Sequence, residues 1–227
     1  MEEGNVFLSK AFEQGIVTIQ DEASSLVAQV ANLQPTNKVL DTCAAPGGKT
    51  THIASYLNPS KGGRVDALDL YEHKLKKIQE NAKRLKVDDC ISMRVLDARN
   101  AQEAYPTESF DAVFVDAPCS GLGLVRRKPD IKYTKSLKDL KSLEKIQLDI
   151  LISASKMVKS KGSLVYSTCT INKAENRELV NQFLEENPAF EIEPIGKWIH
   201  KDTEDITILP SDFNSDGFYI CKLVKKS

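Results

Sequence analysis

Short apolar runs that end in polar residues alternate with longer stretches of helical periodicity along this chain. The apolar runs predict six strands: Lys38–Asp41, Arg64–Asp69, Ile91–Leu96, Ala112–Asp116, Gly162–Ser167 and Gly217–Val224. Between them, apolar residues recur at spacings of three and four, which predicts amphipathic helices such as the one carrying Leu75, Ile78, Ala82 and Leu85. Ser142–Val158 is predicted as one long helix, and Asn172 and Glu175 resemble a capping box that opens the next helix.

The alternation of strands and helices predicts an α/β fold, with a mostly parallel sheet covered by helices on both faces. In such sheets, ligands bind beyond the carboxyl ends of the strands, near the point where the strand order reverses. We therefore expect functional residues in the loops that directly follow the strands.

Composition favours a globular protein and argues against membrane-spanning and secreted proteins. The chain has 227 residues, of which 41% are hydrophobic, as in an ordinary globular domain. It has no apolar run of the roughly 18 residues that span a bilayer, and its first residues do not resemble a signal peptide. Five widely spaced cysteines without a C-x-x-C pair argue for a reduced, cytoplasmic protein and against a metal site. The net charge of −1 lacks the basic excess that nucleic-acid binders usually carry.

The first candidate for chemistry is the loop Asp41-Thr-Cys-Ala-Ala-Pro-Gly-Gly-Lys49, between the first strand and its helix. Small residues there let backbone N–H groups approach a ligand, and the helix N-terminus favours negative charge. The loop is neither a G-x-G-x-x-G dinucleotide loop nor a P-loop, because Cys43 stands where a P-loop needs glycine. A plain strand-to-helix turn would explain the glycines alone.

Two carboxylates follow successive strands after this loop. Asp69 ends the second strand, 22 positions after Gly47, which is about the spacing at which a carboxylate meets ribose hydroxyls in nucleoside sites. Asp97 ends the third strand, where an adenine would lie. Either residue alone could be a helix cap or a turn former, but the pair after a glycine loop favours an adenosine ligand.

Two cysteines follow the fourth and fifth strands, in Asp116-Ala-Pro-Cys119-Ser-Gly-Leu-Gly123 and in Tyr166-Ser-Thr-Cys169-Thr170. Both thiols could face one cleft. Because Cys169 directly precedes the helix predicted near Asn172, we expect the helix dipole to lower the pKa of its thiol. The alternative is that both cysteines are small buried hydrophobic residues.

Together these segments resemble the Sun-type RNA cytosine-5 methyltransferase family, and specifically its bacterial branch that modifies small-subunit ribosomal RNA. The Pro-Cys and Thr-Cys loops are the most specific part of the likeness, since other methyltransferases share the glycine loop in looser form. The likeness covers nearly the whole chain, through Gln20–Ser25, Asp41–Thr50, Asp69, Asp97, Asp116–Gly123, Arg126–Lys132, Ser167–Thr170 and Asp216–Tyr219.

The resemblance implies a Rossmann-like class I methyltransferase fold that uses S-adenosyl-L-methionine, with a mostly parallel sheet of seven strands. It implies a methyltransferase domain over residues 35–227, preceded by an N-terminal segment of the catalytic module over residues 1–34. The helical RNA-binding domain of the family is then absent, and we expect a monomer. The residues implied to hold the cofactor are Cys43, Ala44, Ala45, Pro46, Gly47, Gly48, Lys49, Asp69, Asp97 and Asp116.

The resemblance also implies that Cys169 is the nucleophile and that Cys119 assists product release, although DNA cytosine-5 methyltransferases use the cysteine of their Pro-Cys loop. A thiolate that adds to C6 of cytosine breaks its aromaticity and turns C5 into an enamine-like carbon able to accept a methyl group. We expect Asp116 to hydrogen-bond the cytosine edge, and Lys49 to orient the base or Asp116.

A local basic excess follows the first cysteine loop. Arg126–Lys145 contains eight Lys or Arg and three Asp or Glu, and we expect Arg126, Arg127 and Lys128 to contact the RNA backbone. A solvated helix face is the alternative for this segment. Two other functions stay open at this point, which are the same chemistry on tRNA and a non-catalytic RNA-binding scaffold.

Overall fold

The computed structural model describes residues 5–213 and 215–227. Within them, eight strands form one sheet: β1 (Lys38–Asp41), β2 (Arg64–Asp69), β3 (Ile91–Val95), β4 (Phe110–Asp116), β5 (Val158–Thr168), β6 (Phe190–Ile192), β7 (Ile206–Ile208) and β8 (Phe218–Lys225). The same residues form eight α-helices: α1 (Lys10–Glu13), α2 (Glu22–Val30), α3 (Gly48–Ala54), α4 (Glu72–Leu85), α5 (Ile131–Thr134), α6 (Leu137–Ser155), α7 (Arg177–Glu186) and α8 (Pro210–Phe213).

The sheet has the order β3-β2-β1-β4-β5-β8-β6, and β7 also pairs with β8. Strands β1 to β5 are parallel to one another, whereas β8 runs antiparallel to β5, β6 and β7. The sheet has one strand more than the seven that the resemblance implies. The reason is that β6 pairs with residues 223–225 and β7 with residues 218–220, so two short strands share one edge of β8.

Helices cover both faces of the sheet, as the sequence predicts. On one face α2, α3 and α4 pack through residues such as Val27, Ile53 and Ile78. On the other face α6 and α7 pack through residues such as Leu151 and Phe183. The strand order reverses between β1 and β4, and this places the loops after these two strands side by side.

Two predicted helix starts differ from the structure. Helix α6 begins at Leu137, earlier than predicted, because Ser136 and Asp139 form a capping box there. The capping box predicted at Asn172 is wrong, since Asn172 caps a short 3-10 turn, Lys173–Glu175, and α7 begins only at Arg177. Within the described part of the chain, every helix is too short or too polar to span a bilayer.

Candidate active site

A cleft of about 510 Å³ lies beyond the carboxyl ends of the parallel strands. The loops after β1, β2, β3, β4 and β5 all contribute to its wall, together with one face of α6. The predicted site residues that line it are Cys43, Ala45, Asp69, Asp97, Asp116, Cys119 and Cys169. The cleft therefore brings together residues that are up to 126 positions apart in the sequence.

The glycine loop shapes one end of this cleft. Gly47 has a φ of +105° and is the N-cap of α3, and a side chain there would press against the backbone of Ile78. Ala44 is buried and donates its N–H to Leu68 O. The predicted cofactor contacts that lie outside the cleft lining are Ala44, Pro46, Gly47, Gly48 and Lys49, and this role stays a prediction for all five.

Asp69 and Asp97 stand at neighbouring strand ends in the cleft, but their surroundings differ. Asp69 is largely buried and accepts hydrogen bonds from the N–H groups of Ala45 at 3.3 Å and Tyr71 at 3.1 Å. Asp97 is held by the guanidinium of Arg99 at 2.6 Å, and this hydrogen bond lowers the pKa of its carboxyl group. Both carboxyl groups are therefore fixed before any ligand binds.

Sequence reasoning missed the apolar wall of the cleft. Leu96, Ile146 and Ile150 line the cleft together with the acidic residues, and so does Tyr71, which is half exposed. The one available signal was the i, i+4 spacing of the two isoleucines on α6, which on its own predicts only a buried helix face.

Asp116 is the centre of a polar cluster at the end of β4. Lys49 Nζ donates to Asp116 Oδ2 at 2.7 Å, and Ser167 Oγ donates to Asp116 Oδ1 at 2.8 Å. Burial lowers the pKa of Lys49, but its attraction to and hydrogen bond with Asp116 together outweigh burial and raise it. The cluster is therefore an ammonium–carboxylate pair, with the ammonium 5.2 Å from the centre of the Phe218 ring.

Asp41 is a buried acid next to this cluster that sequence reasoning did not assign. Its carboxylate accepts a hydrogen bond from Thr50 Oγ1 at 2.7 Å. Burial raises the pKa of Asp41 to about 6, with repulsion from Asp116 adding to the rise and the Thr50 hydrogen bond opposing it. Asp41 therefore titrates close to neutral pH.

The two loop cysteines meet in the cleft. Cys119 Sγ and Cys169 Sγ lie 3.2 Å apart, close enough to share one hydrogen bond. This hydrogen bond lowers the pKa of Cys169 and, together with burial, raises that of Cys119; attraction to Lys49 also lowers the pKa of Cys169. This is the direction predicted for Cys169, but the cause differs from the prediction, because the neighbouring thiol rather than a helix N-terminus has the largest lowering effect.

Close backbone packing fixes the approach of the two cysteine loops. Gly123 donates its N–H to Cys169 O at 3.0 Å, and Gly217 donates its N–H to Gly123 O at 2.9 Å. A Cβ atom on Gly123 would collide with the carbonyl oxygen of Gly217. Glycine is therefore required at position 123 for these loops to meet.

The other three cysteines have no thiol partner. Cys90 and Cys221 are buried away from the cleft, and burial raises the pKa of the Cys221 thiol to about 12. Cys43 lines the cleft, and burial raises the pKa of its thiol strongly, so it stays protonated. Across residues 5–213 and 215–227, no group of three or more His, Cys, Asp or Glu side chains is arranged to hold a metal ion.

The basic residues after the Pro-Cys loop are not equivalent. Arg127 forms ion pairs with Asp21 at 2.8 Å and with Asp216 at 3.0 Å, so it links the start of α2 to the segment before β8. Lys128 is exposed and makes no side-chain hydrogen bond or ion pair among the described residues. Arg127 is thus a structural link, and its predicted contact with RNA stays untested.

The chain is similar to known proteins over most of its length, including the residues of the cleft. The sequence profile of the family described as 16S rRNA methyltransferase RsmB/F matches residues 28–224. The probable ribosomal RNA small subunit methyltransferase B of Bacillus subtilis (strain 168) is 44% identical over 98% of this chain and 51% of the relative. Ribosomal RNA small subunit methyltransferase B of Vibrio vulnificus (strain YJ016) is 38% identical over 95% of this chain and 49% of the relative. The chain spans about half the length of the curated relatives it matches.

Solved structures agree with this assignment. The structure of NSun6 from Pyrococcus horikoshii with SFG has a TM-score of 0.88 and 30% identity, over 99% of this chain and 57% of that one. A methyltransferase homolog protein from the same organism has a TM-score of 0.83 and 25% identity, over 99% of this chain and 73% of that one. The matched profile covers the cleft, the acidic strand ends and both cysteine loops. The chain belongs to the 16S rRNA methyltransferase RsmB/F family.

Proposed function

We propose that this chain is the catalytic module of an S-adenosyl-L-methionine-dependent methyltransferase that methylates C5 of a cytosine in small-subunit ribosomal RNA. The observation that carries the proposal is the pair of thiols, Cys119 and Cys169, 3.2 Å apart beside Asp116 in one cleft. A scaffold that only bound RNA would need neither thiol. The substrate and a cytoplasmic location fit the names of the relatives, which are ribosomal RNA methyltransferases.

The residues of the cleft fit S-adenosyl-L-methionine. Its volume lies in the range of small-molecule sites, and Asp69 and Asp97 present carboxylates at successive strand ends to receive ribose hydroxyls and an adenine amine. Leu96, Ile146 and Ile150 supply an apolar wall for the adenine ring. When bound, the cofactor supplies the methyl group.

Cys169 is the group best suited to attack C6 of the cytosine. Its lowered pKa raises the fraction of thiolate at neutral pH, whereas the raised pKa of Cys119 keeps that sulfur protonated. Attack forms a bond from Cys169 Sγ to C6 and moves the electron pair of the C5–C6 double bond to C5, which then takes the methyl group. Loss of the C5 proton to a base restores the double bond and expels Cys169 as a thiolate.

Asp116 and Lys49 hold the cytosine for this attack. Asp116 lines the cleft while its two oxygens accept hydrogen bonds from Lys49 and Ser167, so its direction is fixed. A carboxylate in this position can accept a hydrogen bond from the exocyclic amine of cytosine. Lys49 then orients Asp116 and balances its charge. Cys119, in contact with Cys169, is the group placed to assist release.

An exposed basic strip beside the cleft is suited to the RNA backbone. The exposed cations of this strip include Lys132, Lys138, Lys141 and Lys145, none of which forms an ion pair with a described residue. Helix α6 carries three of them and also lines the cleft through Ile146 and Ile150, so a strand bound along the helix would reach the thiols. Tyr133 is 88% exposed in the same strip and offers a ring for base stacking. Lys128 and Arg126 extend the strip towards the Pro-Cys loop.

A methylation assay tests this proposal. The chain is incubated with S-adenosyl-L-methionine labelled in its methyl group and with transcripts of small-subunit ribosomal RNA or of tRNA. We expect label at C5 of a cytosine in the ribosomal transcript, and none with Cys169→Ala. Label only in tRNA would reassign the substrate, and the absence of label in both RNAs would favour the scaffold.

A further inference from the structure

Glu175 is a buried carboxylate that the proposed reaction does not use. Its relative exposure is 0%, and it forms no ion pair with any described residue. The negative charge is instead surrounded by hydrogen-bond donors, and a carboxylate can only accept. Burying an unpaired charge is costly, so the donors around it indicate a specific purpose.

Hydrogen bonds link one oxygen of Glu175 to the residues on both sides of Cys119. Ser120, which follows Cys119, donates its N–H to Glu175 Oε2 at 2.8 Å. Gln147 Nε2 donates to the same oxygen at 2.9 Å and to the carbonyl oxygen of Pro118, which precedes Cys119, at 2.9 Å. The backbone on either side of Cys119 is therefore held by one carboxylate, directly and through one amide.

The other oxygen of Glu175 faces the loop that carries Cys169. It accepts from Asn172 Nδ2 at 3.1 Å, and the hydroxyl of Thr170 lies 3.5 Å away. The hydroxyls of Ser120 and Thr170 are themselves 2.8 Å apart, so the residues that follow the two cysteines are hydrogen-bonded to one another. Cys169 has supports of its own, since it directly follows β5 and its carbonyl accepts the N–H of Gly123.

We propose that Glu175 is a positioning residue that holds Cys119 against Cys169, with Gln147 as its relay to Pro118. The effect of Glu175 on catalysis rests on the proposed function. Its effect on the distance between the two thiols does not, and this is the geometric part of the inference. Glutamine at position 175 would place an amide N–H₂ group among donors that require an acceptor, so Glu175→Gln should release the Pro-Cys loop while preserving side-chain volume.

The geometric part is tested by the rate at which the two thiols form a disulfide. Diamide accepts two electrons and two protons from the thiol pair, and peptide mapping under non-reducing conditions follows the Cys119–Cys169 bond. We expect Glu175→Gln to slow this reaction about tenfold, because the sulfur atoms are no longer held in contact. Glu178→Gln makes the same chemical change at an exposed position of α7 and should leave the rate unchanged.

Gln147→Met is the second variant, because it removes the donor that links Glu175 to Pro118 while keeping side-chain length. It tests the positioning role if Glu175→Gln does not fold. It should slow disulfide formation in the same direction by a smaller factor. A wild-type rate in folded Glu175→Gln, or in Gln147→Met where Glu175→Gln does not fold, overturns the inference.

The catalytic part is tested by comparing covalent adduct with turnover on labelled ribosomal RNA. We expect Glu175→Gln to resemble Cys119→Ala, with adduct accumulating while product release slows. A merely structural role would lower adduct and turnover in equal proportion, and that result overturns the inference. If Cys119→Ala itself forms no adduct, the proposed roles of the two cysteines fail, while the disulfide rates still decide whether Glu175 positions Cys119.

Discussion

Two acids at the site, the half-buried Cys169 and the buried Asp41, have pKa values shifted in opposite directions. The pKa of Cys169 is lowered because a neighbouring thiol and the Lys49 ammonium stabilise its thiolate. The pKa of Asp41 is raised because burial disfavours its carboxylate more than one hydrogen bond favours it. Local contacts therefore shift each pKa away from the ordinary value of its residue type.

Cys119→Ala should raise the pKa of Cys169, because it removes the hydrogen bond that lowers it. A rise of one pKa unit would slow alkylation of Cys169 by iodoacetamide at neutral pH about tenfold. Cys119→Ser keeps a hydroxyl donor and serves as the matched variant, with alkylation close to the wild-type rate. Mass spectrometry of the Cys169 peptide across a pH series measures this. Equal alkylation of the wild-type, alanine and serine proteins would show that Cys119 does not activate Cys169.

Asp41→Asn should stabilise the protein at neutral pH. The pKa of Asp41 is about 6 when folded and near 4 when unfolded, so the wild type loses stability as pH rises between these values. Asparagine does not titrate and escapes this loss, which reaches about 3 kcal/mol above pH 6. Urea unfolding of both proteins as a function of pH measures the difference. A difference that does not depend on pH would contradict the assignment.

At the scale of elements, Arg127 joins parts of the chain that are far apart in sequence. It pairs with Asp21, which caps α2, and with Asp216, whose side chain is 5% exposed. Sequence reasoning treats Arg127 as one of three adjacent cations after the Pro-Cys loop. Only the folded chain separates it from Lys128, since its partners lie 106 and 89 positions away.

Arg127→Ala should lower the free energy of unfolding by about 2 kcal/mol, because it leaves the buried Asp216 carboxylate without its ion pair. Lys128→Ala is the matched control one position along, and we expect its stability to stay within about 0.5 kcal/mol of the wild type. Thermal and urea unfolding of the two variants measure the contrast. Equal stability of both variants would refute a linking role for Arg127.

The strands that could be predicted contain short apolar runs that end in polar residues. β1, β2 and β4 are buried on both faces, so most of their residues are apolar and the sequence predicts a strand. β6 and β7 have three residues each and are strands only because β8 offers them an edge. Asp69 could be predicted from its spacing to Gly47, and Asp97 from its place after the third strand. Glu175, by contrast, could not be recognised as a support of Cys119, because its hydrogen bonds with Ser120 and Gln147 are tertiary.

At the scale of the whole molecule, the net charge of −1 conceals two regions of opposite sign. Asp69, Asp97 and Asp116 line the cleft, whereas Lys138, Lys141 and Lys145 lie exposed on the first half of α6. An average over the chain cancels these contributions. The composition therefore gives no indication of the basic strip, although the strip is the part of the surface suited to a polyanion.

Replacing Lys138, Lys141 and Lys145 together by glutamine should weaken RNA binding and its dependence on salt. Three lost phosphate contacts would reduce the slope of log affinity against log salt concentration by about 2 for single-stranded RNA. Affinity for S-adenosyl-L-methionine, measured by calorimetry, should not change, because these side chains do not line the cleft. An unchanged salt slope would place the RNA on another surface.

Covalent trapping shows which cysteine attacks the cytosine and which one assists its release. Each cysteine-to-alanine variant is incubated with S-adenosyl-L-methionine and end-labelled small-subunit ribosomal RNA, then run on a denaturing gel. We expect Cys119→Ala to retain labelled RNA as a denaturant-stable protein adduct, and Cys169→Ala to retain none. An adduct with Cys169→Ala and none with Cys119→Ala would make Cys119 the nucleophile and contradict the account.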